Sequence, residues 1–131
     1  MSIKIIVENK KARFDYTIEE TLEAGLSLMG SEVKSIREGA VNLKDSYIAF
    51  INGEAFLQNA HISVYKASSY NNHEPERLRK LLIHKIELEK FERAVHEKGY
   101  SCVSLKMYFK EGRIKLEIAL AKGKKHGDKR E

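Results

Sequence analysis

Lys122, Lys124, Lys125, Lys129 and Arg130 follow directly on a run of alternating apolar residues, and cations at that density do one kind of chemistry: they neutralise an anionic polymer or surface. Residues 99–131 hold nine Lys/Arg against four Asp/Glu, so the whole formal excess of +5 lies in the last quarter of the chain. With a sequence pI of about 9.2, this is the footprint of a phosphate backbone or an anionic membrane surface as partner. The competing reading is a solvated terminal segment. Further cations join the set. Arg77, Arg79 and Lys80 are expected on the polar side of a short helix, and Lys106, Lys110, Arg113 and Lys115 on the outer face or tip of a hairpin. Tyr65, Tyr70 and Tyr108 offer planes on which unpaired bases stack, although packing with the hydroxyl in water is the more usual use of a tyrosine.

Other chemistries find little support. The pattern G-x-S-x-G does not occur, and Gly123-Lys-Lys-His-Gly127 lacks the Gly-Lys-Ser/Thr ending of a phosphate-cradling loop. Glu19 and Glu20 would point to opposite faces of a strand and so do not form an acid/base pair. We therefore expect no enzyme, no catalytic residue and no cofactor. The single cysteine, Cys102, rules out an internal disulfide and a multi-thiolate site, and His61, His73, His84, His96 and His126 form no close pair, so no metal site is expected. The start of the chain has no apolar stretch of signal-peptide length and no run approaches a membrane span, which predicts a cytoplasmic protein without membrane contact.

These groups must be positioned by one core, since 131 residues at 42% hydrophobic content suffice for a single domain. A hairpin over 101–121, turning at Glu111-Gly112, places Phe109 opposite Ile114, Met107 opposite Leu116, Leu105 opposite Ile118 and Val103 opposite Leu120. Tyr108 opposite Lys115 and Lys106 opposite Glu117 then fall on the outer face. A second hairpin at Asn52-Gly53 pairs Ile48 with Leu57 and Phe50 with Ala55, and its other face also carries apolar Tyr47, Ile51 and Phe56. Phe14, Tyr16, Ile18, Leu22, Ala24, Leu26 and Leu28 alternate with polar residues, which predicts a strand over 14–29 with Gly25 as a bulge or bend. Ser31 reads as the N-cap of a short helix closed by Gly39. Pro75 reads as the first turn of another that carries Leu78, Leu81 and Leu82 on one face. Residues 84–98 read as a longer helix with Leu88, Phe91 and Val95 inward and Gly99 at its end. The predicted fold is mainly β with α (α+β): a small closed antiparallel six-stranded barrel of oligonucleotide-binding (OB) type with about three peripheral helices. Residues 1–121 would form the barrel and its helices, and residues 122–131 a separable, flexible basic segment.

Seven ordered segments then carry a resemblance: Glu8-Asn9-Lys10-Lys11-Ala12-Arg13, Glu20-Thr21-Leu22-Glu23-Ala24-Gly25, Gly30-Ser31-Glu32-Val33-Lys34-Ser35, Asn42-Leu43-Lys44-Asp45-Ser46-Tyr47, Gly53-Glu54-Ala55-Phe56-Leu57, Arg79-Lys80-Leu81-Leu82 and Ala121-Lys122-Gly123-Lys124-Lys125. In this order, over essentially the whole chain, the sequence resembles the small protein B family, the bacterial partners of transfer-messenger RNA. The resemblance implies an OB-type barrel that binds the tRNA-like domain of transfer-messenger RNA and delivers it to stalled ribosomes in trans-translation. It places Asn9, Glu23, Leu82 and Lys115 where the family contacts RNA, with Lys122, Lys124 and Lys125 in its basic junction; charge alone adds Arg79, Lys80 and Lys106. The implied partners are that RNA and the small-subunit decoding region of the ribosome, with the free protein a monomer.

The sequence departs from the family pattern at Glu74, where members carry Asp before the proline, and at Gly127, where they often carry a larger side chain. Members also run on past Asp128-Lys129-Arg130 into a long basic tail that enters the empty message channel, whereas this sequence reaches Glu131. The expectation is RNA binding by the chain as given, with peptide tagging on the ribosome dependent on such a tail. Two other readings compete. A cold-shock-like single-strand binder would show little preference for folded RNA, and a ribosome-associated or protein-interaction barrel would not bind isolated RNA saturably.

Overall fold

Period-two patterning dominates the chain, and the computed structural model, which describes residues 3–65 and 72–124, is accordingly mainly β with three helices among the described residues. The order is β1 (Ile3–Glu8), α1 (Lys10–Asp15), β2 (Tyr16–Leu26), α2 (Gly30–Arg37), β3 (Val41–Asn42), β4 (Tyr47–Ile51), β5 (Glu54–Gln58), β6 (His61–Ile62), β7 (Arg79–Leu82), α3 (Lys85–Lys98), β8 (Ser101–Lys110) and β9 (Arg113–Gly123). One 7-stranded antiparallel sheet has the order β1-β8-β4-β5-β7-β2-β9, with β8 and β9 also paired, so bonding runs from β8 through β4, β5, β7, β2 and β9 back to β8. β1 is added outside on β8, and β3 and β6 form a separate ribbon. Leu57, Met107, Leu116 and Ile118 fill the core with no exposed surface, and Ile36 from α2 and Phe91 from α3 pack against them.

The last hairpin keeps its predicted register near the turn, with Phe109 opposite Ile114, Met107 opposite Leu116 and Lys106 opposite Glu117. Beyond Lys106 it slips by one, so that Ser104 rather than Leu105 faces Ile118 and Val103 faces Ala119. The reason is a bulge at Leu105. This side chain leaves the main core for a smaller cluster with Ala12, Val103, Ala119 and Ala121. The bulge carbonyls are not wasted, because the Asn9 backbone N–H donates to Leu105 O at 2.8 Å and its side-chain amide to Ser104 O at 2.9 Å. The Asn52-Gly53 hairpin has both predicted pairs and positive φ of 51° and 78° at its two turn residues. On its other face Tyr47 and Ile51 are exposed.

Four local expectations are corrected. Phe14 belongs to α1, not to the strand, and is 66% exposed; the helix forms because the Asn9 side-chain oxygen accepts from the Ala12 N–H at 3.1 Å. In β2 the bulge lies between Ile18 and Glu20, while Gly25 pairs regularly with strands on both sides. α2 begins before Ser31, and its free end is satisfied by Glu32, whose carboxylate accepts from the Met29 N–H at 2.8 Å. Finally, residues 79–82 are a strand. Arg79 and Leu81 point inward while Lys80 and Leu82 point out, because the segment is needed between β5 and β2, where it pairs with both. Pro75 therefore starts a turn only. α3 and its left-handed Gly99 are as predicted.

Candidate nucleic-acid groove

The register of four neighbouring strands assembles the site. Tyr108 on β8 pairs with Lys115 on β9, Lys115 with Gly25 on β2, and Gly25 with Leu82 on β7. Glu23, two residues before Gly25, shares its face because side chains alternate. Gly25 is what turns this row into a groove: a Cβ there would sit 3.3 Å from the Leu82 Cβ, so its absence lets β7 bring Leu82 close against β2. The result is a cavity of about 550 Å³ lined by Leu22, Glu23, Gly25, Leu82 and Lys115, with His84 and Glu87 also on its wall.

Each wall group has a distinct electrostatic character. Leu82 is 54% exposed, an apolar surface left in solvent beside charges. Lys115 makes no ion pair with any described residue. The Glu23 carboxylate is held at the rim by Lys110, at 3.0 Å. Tyr108 lies beneath them. Burial, then the Glu23 and Glu117 carboxylates, push its phenol up to about 12, so the hydroxyl stays protonated. Buried in this way, Tyr108 offers no stacking face, which corrects the expectation of an outward ring. The groove as a whole combines an apolar platform for an unstacked base, a free cation for a phosphate and a braced carboxylate for an amino or hydroxyl donor.

Other residues singled out in the sequence lie elsewhere. Asn9 is buried; its amide N–H groups go to Leu43 O at 3.0 Å and Ser104 O, and it borders a larger cavity of about 620 Å³ at the junction of β4 and β8. Arg79 has no exposed surface: its guanidinium donates to Glu32 at 2.7 Å and to the carbonyls of Ala60 and Pro75, so it braces the fold and is not a surface cation. Lys80 is exposed but paired with Glu54 at 3.0 Å. Lys106 stands over the Tyr108 ring, 5.7 Å from its centroid, and lies 4.0 Å from Glu117. Lys122 caps α3 through Lys98 O at 3.2 Å and covers the Tyr100 ring. Lys124 continues this end of the chain, its backbone N–H bonded to Asp15 O. Tyr65 carries Lys34 over its ring, whereas Tyr70 and Lys125 lie outside the described residues.

Sequence reasoning missed Gly25 as the notch and Lys110 as the brace. The hairpin register did hold the signal for Lys110, since it shares a face with Tyr108. Among the described residues no cluster of His, Cys, Asp or Glu could hold a metal ion, and no helix is long and apolar enough to cross a membrane.

Comparison with known proteins completes the picture. A family model described as SmpB protein matches residues 6–131. The chain is 70% identical over 130 residues to the SsrA-binding protein of Bdellovibrio bacteriovorus, covering 99% of this chain and 86% of that relative. It is 54% identical over 131 residues to the SsrA-binding protein of Syntrophotalea carbinolica, covering 100% and 87%. A solved structure described as "tmRNA-SmpB: a journey to the center of the bacterial ribosome" is 48% identical and superposes with a TM-score of 0.76 over 92% of this chain and 85% of that one.

Proposed function

This chain belongs to the SmpB protein family, and from that premise we propose that it binds the tRNA-like domain of transfer-messenger RNA and delivers it to stalled ribosomes in trans-translation. The observation that carries the reading to particular residues is the convergence of Glu23, Leu82 and Lys115 on one groove, although they come from three different strands. In this reading Leu82 packs on an unstacked base, Lys115 meets a phosphate, and Glu23, held by Lys110, accepts from a base amino group or ribose hydroxyl. Asn9 serves indirectly by holding α1 to the β8 bulge.

The strand ring is read as a closed six-stranded OB-type barrel with β1 outside it. Residues 1–121 then form the RNA-binding unit; the basic junction begins with Lys122 and Gly123, which still pair with β2 as the end of β9 instead of forming a separate segment, and it serves the ribosomal decoding region. The protein acts in the cytoplasm, as a binding protein and not as an enzyme. A free single-strand binder is less well supported, because Tyr108, the tyrosine nearest the groove, is buried.

Lys115→Ala tests the assignment. It should weaken binding of transfer-messenger RNA and lower the log-log salt slope by roughly 0.7 to 1 unit, as loss of one phosphate contact does. Thermal stability should change by less than about 0.5 kcal/mol, since the side chain has no ion-pair partner to lose. An affinity unchanged across the salt series would remove Lys115 from the interface.

A further inference from the structure

The groove does not end at Leu82. Gly25, Leu82 and Lys115 also line a second lobe of about 300 Å³ on the other side of the same residues, walled by Leu28 and Phe109 and carrying Arg37 and Arg113. Arg37 closes α2 and Arg113 opens β9 immediately after the hairpin turn, so both guanidiniums stand on ends of fixed elements. Both residues are exposed, and neither has an ion-pair partner among the described residues. The two lobes differ in charge. The first has Glu23 and Glu87 beside Lys115, whereas three cations and no carboxylate line the second.

We propose that the second lobe is a nucleotide subsite of the same interface, in which Arg37 and Arg113 hold the backbone phosphate next to an unstacked base that packs on Leu28, Leu82 and Phe109. Resting on the proposed RNA-binding function, it divides the groove by chemistry. Carboxylates in the first lobe accept from base edges and ribose hydroxyls, and Lys115, which lines both lobes, meets the phosphate between them. The acid-free second lobe attracts a phosphate of its own, and its apolar wall suits the face of a base. Arginine fits the task, because its planar fork meets two phosphate oxygens at once.

The test is a salt titration of transfer-messenger RNA binding by the full chain, comparing the wild type, the double variant R37Q/R113Q and K115A, with melting curves to confirm that each is folded. Loss of two phosphate contacts should lower the log-log slope of the double variant by about 1.4 to 1.8 units, and K115A should lower it by roughly half as much. If K115A lowers the slope and R37Q/R113Q leaves it unchanged, the subsite is wrong while the groove stands. If neither variant changes it, the RNA-binding reading of the groove fails and the subsite fails with it.

Discussion

Glu32→Gln is expected to cost about 3–5 kcal/mol of folding stability, the usual consequence of leaving a buried charge without its partner. Glu32 has no exposed surface and accepts from Arg77 at 2.6 Å, from Arg79 at 2.7 Å and from the Met29 N–H at 2.8 Å. The amide would leave the equally buried Arg79 guanidinium without a counter-charge, at the first residue of the strand that ends in Leu82. Burial by itself raises the Glu32 carboxyl, but the bonds from Arg77, Met29 and Arg79 outweigh it and hold the group below its ordinary 4.5. A lowered folded-state value means that the stabilisation is complete above 4.5 and is lost as pH falls through the lower folded value. Urea unfolding at neutral pH should therefore separate wild type from variant fully, and the gap should narrow in acid. A loss within the ~0.5 kcal/mol of a surface substitution would contradict this account of the Glu32 cluster.

Leu116→Ala should cost about 2–5 kcal/mol, because it empties volume that the surroundings cannot refill. Leu116 is fully buried, faces Met107 across the hairpin and Ala24 across the β2 pairing, and lies in the main core. Its chain neighbour Lys115 points the other way, into the groove. The two substitutions thus separate fold from function at adjacent positions: L116A should lose RNA binding only as it unfolds, whereas K115A should lose affinity while folded. Thermal melting decides the first case, and a wild-type melting temperature for L116A would show that this register is wrong.

The legible parts of the fold were those whose partners are near in sequence. The last hairpin declared itself by period-two apolar residues around Glu111-Gly112, and even its outward set, Lys106, Lys110 and Lys115, followed from the register. β7 did not, because Pro75 and three nearby leucines imitate a helix start while the deciding contact, Arg79 to Glu32, spans 47 residues. α1 was missed for a related reason. Only Ala12 of this 6-residue helix is buried, and the cap that fixes it, Asn9, is tied to Ser104, 95 residues away. As for the site, residue patterning reached Lys115 alone; Glu23 and Leu82 came from the family resemblance, and Leu82 was placed on the wrong kind of element. What joins them is the missing side chain of Gly25, which lets β7 close on β2 and which no local pattern marks.

The claim that this groove selects a folded, tRNA-like RNA is tested most directly by a competition titration. Labelled transfer-messenger RNA would be bound by the wild-type chain and by a Leu82→Ala/Lys115→Ala variant at one fixed salt concentration. Unlabelled transfer-messenger RNA, ordinary tRNA and a single strand of equal length would serve as competitors. The account predicts that wild-type binding resists the single strand, is displaced most readily by unlabelled transfer-messenger RNA, and is lost by the variant while it remains folded. Displacement by the single strand at the same concentration as by transfer-messenger RNA, or wild-type affinity in the folded variant, would contradict it.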